Sequence, residues 1–287
     1  MQDLKGMPVV NALAEKFAED IKTMGQKGIT PKLTVVRIGE REDDISYEKG
    51  IIKRFSSVNA LVDVVALPYD CSQEKLEETI INLNNDEKVH GILLFRPLPK
   101  NLSEDRIKVL IAEVKDVDCM GMNNMANVFI GSKKGYPPCT AQAVVEILDH
   151  YGIDVAGKKL TIVGRSLVVG KPLAMMLLGR NATITLCHTK TLDLADECRK
   201  AQILVACAGV PKMIKADFTN PEQIVIDVGI NMVDDKLCGD VDYENVAGIV
   251  KAITPVPGGV GTVTTSVLLK HTIVSASLAS KKGSVIL

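Results

Sequence analysis

The regular alternation of strand and helix patterns is the feature that most restricts how this chain can fold. Apolar, β-branched runs at 33–38, 62–68 and 91–95 predict three strands, and helical patterns lie between them. Strands that alternate with helices usually form a parallel sheet whose faces the helices cover. The sequence therefore predicts an α/β fold.

The same alternation starts again in the second half, after a loop-rich, proline-containing zone at 96–140. Helices are predicted at 141–152 and, at the end of the chain, at 264–280. Because 287 residues exceed what one small core needs, we expect two domains. The strands predicted in the second half are 159–164, 182–187, 203–207 and 223–229, with a helix over about 170–178.

Composition and charge argue against several kinds of partner. A net charge of -1 gives no long-range attraction to nucleic acid or to an anionic membrane. No apolar run is long enough to predict a membrane span, and residues 1–17 predict an amphipathic helix rather than a signal peptide. The seven cysteines form no CxxC pair, so we expect free thiols, a cytoplasmic location and no metal site.

A glycine-containing turn between a strand and a helix is the first candidate ligand site. Gly164 ends the strand at 159–164, and the next helix begins after Gly170. Such a turn directs backbone N–H groups and a helix N-terminus at a phosphate. The spacing is G-x5-G rather than G-x-G-x-x-G, so glycines that serve only the backbone conformation remain an alternative.

The end of the next strand bears on the choice of dinucleotide. In a doubly wound sheet this position faces the adenosine ribose, where NAD sites commonly carry an acidic residue. This chain has His188, Thr189 and Lys190 instead. Hydroxyl and cationic groups suit a 2′-phosphate, and Arg165 can add a charge-assisted contact. NADP is favoured on these grounds, with NAD and a merely solvated basic loop left open.

Several short segments share one recognisable pattern over essentially the whole chain. VGRSLVVGKP (163–172), followed at this separation by TPVPGGVGTVT (254–264), is the most specific pair. On these segments the chain resembles the methylenetetrahydrofolate dehydrogenase/methenyltetrahydrofolate cyclohydrolase family. The other matching segments are GILLFRPLP (91–99), KDVD (115–118), PCT (138–140), CHTKT (187–191), DVGIN (227–231) and GDVDY (239–243).

The resemblance implies a particular domain organisation. Residues 1–142 would form an α/β folate domain, and residues 143–264 a Rossmann-like NAD(P)-binding domain. A C-terminal helix over about 265–287 would pack back on the first domain. The active site would lie in the cleft between the domains, and the protein would form a homodimer through the dinucleotide domain.

The resemblance also implies site residues. Tyr47 and Asp118 would act in catalysis and bind the folate, with Asp118 against the amino edge of the pterin. Pro257, Gly258 and Gly259 would complete the folate site. The residues implied for the dinucleotide are Thr140, Gly164, Arg165, Ser166, Gly170, His188, Thr189, Lys190, Ile230 and Thr265.

Three positions of the implied folate site depart from the family's pattern, one of them Arg96, where the family usually has an apolar residue. The family has a lysine four residues after the tyrosine, where this chain has Ile51, and usually a glutamine where it has Phe95. Lys53 sits about 160° around a regular helix from Ile51, since each residue turns about 100°. Lys53, Arg54 and Arg96 are the candidate substitutes for the missing groups.

These departures bear on the two reactions differently. Hydride transfer from 5,10-methylenetetrahydrofolate to the nicotinamide depends mostly on positioning, whereas hydrolysis of the methenyl product benefits from an acid/base group. We expect an NADP-dependent dehydrogenase with tetrahydrofolate as the substrate carrier and a weak or lost cyclohydrolase. One alternative is a fully bifunctional enzyme that also forms 10-formyltetrahydrofolate. The others are a non-catalytic folate- or dinucleotide-binding protein and an unrelated Rossmann dehydrogenase.

Overall fold

The computed structural model describes residues 1–282, with side chains described as far as Ser280. The chain divides into two compact units. The six-stranded unit comprises Met1–Ala12, Val128–Gly131 and Pro138–Thr264. The three-stranded unit comprises Leu13–Asn127, Ser132–Pro137 and the chain from Thr265 onward.

The described chain forms eleven strands and ten α-helices. The strands are β1 (Gln2–Asp3), β2 (Lys32–Ile38), β3 (Leu61–Leu67), β4 (Gly91–Leu94), β5 (Lys159–Val163), β6 (Thr183–Cys187), β7 (Ile203–Ala206), β8 (Ile224–Asp227), β9 (Asn231–Val233), β10 (Lys236–Cys238) and β11 (Ala252–Ile253). The helices are α1 (Gly6–Gly25), α2 (Glu42–Ser56), α3 (Gln73–Asn85), α4 (Glu104–Lys108), α5 (Met122–Phe129), α6 (Cys139–His150), α7 (Gly170–Leu178), α8 (Leu194–Arg199), α9 (Tyr243–Val246) and α10 (Val260–Lys282).

The three-stranded unit is built on a parallel sheet in the order β3-β2-β4. Its central strand is buried, with Leu33, Val35 and Val36 fully inaccessible to solvent. A strand covered on both faces carries a continuous apolar run, which is why β2 could be read from the sequence. The predicted strands β2, β3 and β4 and the helices between them are confirmed, although α2 begins three residues earlier than predicted.

The six-stranded unit is built on a parallel sheet in the order β1-β11-β8-β7-β5-β6. The four strands predicted for the second half are confirmed as β5 to β8. The predicted N-terminal helix is wrong at its start, because residues 2–3 form the edge strand β1. There the N–H groups of Gln2 and Leu4 donate to Lys251 and Ile253 at 2.9 and 2.8 Å, and α1 begins only at Gly6.

A short hairpin, β9–β10, forms a separate antiparallel sheet that the sequence did not predict. Each strand has three residues. Apolar side chains on and beside it are exposed, with Ile230 62%, Met232 61% and Leu237 46% accessible. The hairpin therefore presents a partly exposed apolar surface.

The proposed boundaries can be placed on this structure. A division after residue 142 falls inside α6, which the structure groups with the six-stranded unit. The final helix, α10, begins at Val260 in that unit and continues into the three-stranded unit. The part of the expected C-terminal helix at 283–287 lies outside the described residues.

Candidate active site

The turn between β5 and α7 requires glycine at both of its ends. Gly164 has a φ of 129°, a conformation that side-chain-bearing residues rarely adopt. A Cβ at Gly164 would collide with the backbone of Cys207, and a Cβ at Gly170 would collide with the carbonyl of Gly164. The two glycines therefore allow close backbone packing as well as a sharp turn.

This turn also presents the N-terminus of a nine-residue helix. The Ser166 hydroxyl accepts a hydrogen bond from the Val169 N–H at 3.1 Å, and the Ser166 carbonyl accepts one from the Lys171 N–H at 3.1 Å. Val169 supplies no side-chain cap to the helix, and Arg165 and Ser166 are exposed. A helix start of this kind, with a cation beside it, attracts phosphate.

The segment after β6 lies next to this turn, because Val163 and Cys187 are paired at the carboxyl ends of β5 and β6. His188 donates its N–H to the Thr191 hydroxyl at 2.9 Å, and its Nδ1 accepts from the Lys190 N–H at 3.1 Å. Thr189 and Lys190 are exposed. The predicted hydroxyl and cationic groups thus lie at the edge of the sheet where an adenosine ribose would bind. Thr191, which was not singled out from the sequence, holds the backbone of this segment through its hydrogen bond with His188.

Two buried carboxylates, Asp227 and Asp240, organise the neighbouring loops of the same unit, and neither had been assigned a role from the sequence. Asp240 accepts from the N–H groups of Ala208 and Gly209 at 2.6 and 2.9 Å. The Asp227 carboxylate accepts hydrogen bonds from the backbone N–H groups of Asp240 and Val241 at 3.0 and 2.9 Å. These contacts tie the loops after β7 and β8 to the segment that follows the hairpin. The signal for them was an aspartate within two residues of a glycine, Asp227 before Gly229 in DVGIN and Asp240 after Gly239 in GDVDY.

Burial raises the pKa of Asp227 to about 7, although three backbone N–H groups oppose the shift. The folded protein thus keeps this proton up to about pH 7, whereas an unfolded aspartate releases it near pH 4. Stability should therefore fall as the pH rises from about 4 to about 7, by up to about 1.4 kcal/mol per pH unit from this one group. Above pH 7 the contribution should stay constant.

We predict that Asp227→Asn removes this slope, since asparagine does not titrate. The measurement is urea unfolding of the native and variant proteins at a series of pH values from about 4.5 to 8. Asp234→Asn, on the exposed turn of the hairpin, is the matched control and should keep the native slope. Equal slopes for native protein and Asp227→Asn would contradict the prediction.

The PVPGGVG loop borders a small cavity in the six-stranded unit. The cavity has a volume of about 220 Å³, and Ile230, Pro257, Gly258 and Gly259 line it. Thr254 fixes the start of the loop, because its hydroxyl accepts from the Asp227 N–H at 2.7 Å. Four of the residues that were expected to bind the folate or the dinucleotide therefore line one cavity. Thr140, on α6, and Thr265, on α10, are half-buried and do not line this cavity.

In the three-stranded unit, Tyr47 and Phe95 are neighbours. Their ring centroids lie 5.5 Å apart at an interplanar angle of 34°. Tyr47 is 40% exposed, whereas Phe95 is buried and Ile51, one turn after Tyr47 on α2, is fully buried. Neither Ile51 nor Phe95 can donate or accept a proton, so an apolar surface stands beside Tyr47 where the family has polar groups.

Arg96 and Asp118 are also neighbours in this unit. Nη2 of Arg96 lies 3.8 Å from Oδ2 of Asp118, and Nη1 lies 3.4 Å from Oε1 of Glu104 on α4. Both Arg96 and Asp118 are partly exposed, with 26% and 24% of their side chains accessible. Site residues expected in this unit thus form an aromatic pair, Tyr47 with Phe95, and a charged pair, Arg96 with Asp118. The two pairs are joined through the consecutive residues Phe95 and Arg96.

The remaining candidate substitutes for the lysine lie on α2. Lys53 is exposed. Arg54 is partly buried, its Nε has no hydrogen-bond partner, and desolvation lowers its pKa.

Comparison with known proteins agrees with this arrangement. The model of the tetrahydrofolate dehydrogenase/cyclohydrolase catalytic domain matches residues 4–118, and that of the NAD(P)-binding domain of the same family matches residues 138–280. The chain belongs to this family. The expected family and the α/β fold, with a catalytic domain before an NAD(P)-binding domain, are therefore confirmed.

Individual members of the family are similar over nearly the full length. The bifunctional protein FolD of Clostridioides difficile is 47% identical over 282 residues, which cover 98% of each chain. The bifunctional FolD of Campylobacter jejuni superimposes with a TM-score of 0.95 at 36% identity, over 97% of this chain and 99% of that one. A Trypanosoma brucei methylenetetrahydrofolate dehydrogenase-cyclohydrolase, complexed with NADP and an inhibitor, gives 0.91 at 32% identity, over 96% and 97%.

The names of these family members bear on the second activity. The C. difficile and C. jejuni proteins are both described as bifunctional. This favours the alternative expectation, two activities in one chain, over the loss of the cyclohydrolase. Within residues 1–282, no helix has the length and apolar run that a membrane crossing needs, and no His/Cys/Asp/Glu cluster could hold a metal ion.

Proposed function

We propose that this protein oxidises 5,10-methylenetetrahydrofolate to 5,10-methenyltetrahydrofolate, with NADP as the hydride acceptor. The observation that carries the proposal is the turn from Gly164 to Gly170, whose close packing leaves no room for a Cβ and presents a helix N-terminus. Backbone in this arrangement binds the pyrophosphate of a dinucleotide. The similar T. brucei enzyme is complexed with NADP.

The preference for NADP over NAD rests on the segment after β6. His188, Thr189 and Lys190 stand where an NAD site commonly has a carboxylate, and Arg165 lies on the adjoining turn. Cationic groups and a hydroxyl suit a 2′-phosphate. Ser166, Thr140, Ile230 and Thr265 complete the dinucleotide site that we propose.

In the folate site we assign Tyr47 and Asp118 to the substrate, together with Pro257, Gly258 and Gly259. When bound, the dinucleotide supplies the hydride acceptor. The protein's own contribution is to align the two ligands and exclude water, which can account for a large part of the rate of a hydride transfer. The proposed domains are residues 1–142 for folate and 143–264 for the dinucleotide. The free thiols support a reducing compartment such as the cytoplasm.

Hydrolysis of the methenyl product is the second candidate function. The bifunctional relatives favour it, whereas the apolar pair Ile51 and Phe95 counts against it. Proton transfer by a positioned side chain contributes about 10²–10⁴-fold to reactions of this kind. If this chain hydrolyses its product, it does so without a titratable group at position 51 or 95.

A single set of assays tests both candidate functions. Purified protein with methylenetetrahydrofolate and NADP should form NADPH and methenyltetrahydrofolate, and the lack of both products would refute the dehydrogenase. Separately, methenyltetrahydrofolate is followed with protein and in buffer alone. Decay faster than in buffer would establish the second function, and decay at the buffer rate would make the protein a dehydrogenase alone.

We also propose that the protein is a homodimer whose subunits meet through the β9–β10 hairpin. The exposed apolar side chains of Met232 and Leu237, and the free edges of a two-stranded sheet, are typical of a protein interface. Met232→Lys with Leu237→Lys should therefore halve the mass measured by sedimentation. Val109→Lys, at least as exposed but in the three-stranded unit, should leave the mass unchanged. A native protein that sediments as a monomer would refute the proposal.

A further inference from the structure

Arg96 is the charged residue of the folate site that the family's pattern does not explain. It follows Phe95, whose N–H donates to the Val36 carbonyl at 3.0 Å and extends the sheet by one residue. The family usually has an apolar residue at this position. A partly buried arginine costs desolvation energy unless other groups compensate for it. The charged groups around Arg96 therefore indicate its role.

The guanidinium of Arg96 is held between two carboxylates from different segments. Glu104, on α4, lies 3.4 Å from Nη1, and Lys108 on the same helix lies 3.0 Å from the same Glu104 oxygen. Asp118 lies 3.8 Å from Nη2. Arg96 is thus anchored on one side by α4 and faces the proposed folate-binding carboxylate on the other.

The distance to Asp118 distinguishes between two kinds of contact. At 3.8 Å the pair is within ion-pair range but beyond hydrogen-bond length. Arg96 therefore attracts the carboxylate without donating a hydrogen bond to it. An ion pair at this distance orients the carboxylate, but Arg96 itself occupies no acceptor site of Asp118.

We propose that Arg96 is a positioning residue for the folate, which holds Asp118 in the direction that the pterin requires. The inference rests on the proposed function, and it gives Arg96 a role in substrate binding rather than as a substitute for the missing lysine or glutamine. Arg96 would touch Asp118 rather than the reacting carbon. Its loss should therefore weaken substrate binding and leave the hydride-transfer step largely intact.

Arg96→Met tests the proposal, since methionine has a similar length and no charge. The KM for methylenetetrahydrofolate should rise about five- to tenfold, the scale of one lost charged contact, while kcat and the KM for NADP change less than about twofold. Arg96→Lys should recover part of the loss. Glu104→Gln removes the ion pair on the other side of Arg96. It should raise the KM for methylenetetrahydrofolate by only about two- to threefold, because Glu104 acts on Asp118 indirectly, through Arg96.

Arg106→Met is the matched control. Arg106 is on α4 of the same unit and pairs with Glu77 at 2.6 Å, more than half of its side chain being exposed, so all constants should stay native. An unchanged folate KM in Arg96→Met, or a fall in kcat alone, would overturn the proposal. If Arg96→Met does not fold, Arg96→Lys and Glu104→Gln still decide the question. Native protein that forms no NADPH would instead refute the proposed function itself.

Discussion

Alanine in place of Gly170 is expected to abolish NADP binding at assay concentrations. The added Cβ would collide with the carbonyl of Gly164 and lie 3.1 Å from the Cα of Arg165. All of these neighbours are backbone atoms, which cannot move aside as a flexible side chain can. The turn must therefore open, and the N–H groups at the start of α7 must leave the position in which they meet the pyrophosphate.

The expected magnitude is large. Overpacking typically costs about 1–3 kcal/mol of stability, and the loss of several aligned N–H contacts to phosphate should weaken NADP binding by about 100-fold or more, at roughly 1.4 kcal/mol for each tenfold. Calorimetric titration with NADP measures the affinity, and thermal unfolding measures the stability. Tyr47 and Asp118, which we propose for the folate, lie in the three-stranded unit and outside this turn, so folate affinity should change far less.

A glycine at the other end of the same helix provides the control. Gly179 follows α7 with a φ of -61°, and a Cβ there would meet the Met175 and Met176 carbonyls at an ordinary 3.5 Å. Gly179→Ala should therefore leave NADP affinity native and stability unchanged or slightly raised, by about 0.4–1 kcal/mol. If Gly170→Ala bound NADP within threefold of native affinity, the turn would not be the pyrophosphate site.

The main strands could be predicted because burial shaped their sequences. Strands β2 and β7 are covered on both faces, and such strands read as continuous apolar runs. Strands β1 and β11 have two residues each, which is too short for any periodicity to appear. The hairpin escaped prediction because its strands have three residues and its apolar side chains are exposed.

The site was predictable where a residue type is tied to a backbone requirement. Gly164 and Gly170 were found because only glycine permits that turn. Asp227 and Asp240 were missed because their partners are backbone N–H groups of segments distant in the sequence. Every residue except proline has such a group, so no residue type identifies these partners. Arg96 and Asp118 were both named from the sequence, but their pairing was not, since two loops meet there at a distance that only the fold determines.

Introducing Ile51→Lys together with Phe95→Gln is expected to create or increase methenyltetrahydrofolate hydrolysis. Lysine alone should be poorly tolerated, because Ile51 is fully buried and an unpaired buried charge typically costs roughly 3–5 kcal/mol. Glutamine at position 95 would replace a ring 5.5 Å from that of Tyr47 with an amide that can accept from the ammonium. The double variant should therefore be more stable than Ile51→Lys alone.

A buried lysine with a lowered pKa is suited to proton transfer near neutral pH, so hydrolysis should rise at least about tenfold over the native rate. The same cation should slow hydride transfer, because the methenyl product is itself positively charged. Ile52→Lys with Phe95→Gln is the matched control. Ile52 is 36% exposed and adjoins Ile51 on α2, so this variant should be stable and gain no hydrolysis. The native protein could instead hydrolyse methenyltetrahydrofolate fast, with no change in the double variant. That result would mean that another group transfers the proton and that the second candidate function, hydrolysis of the methenyl product, is correct.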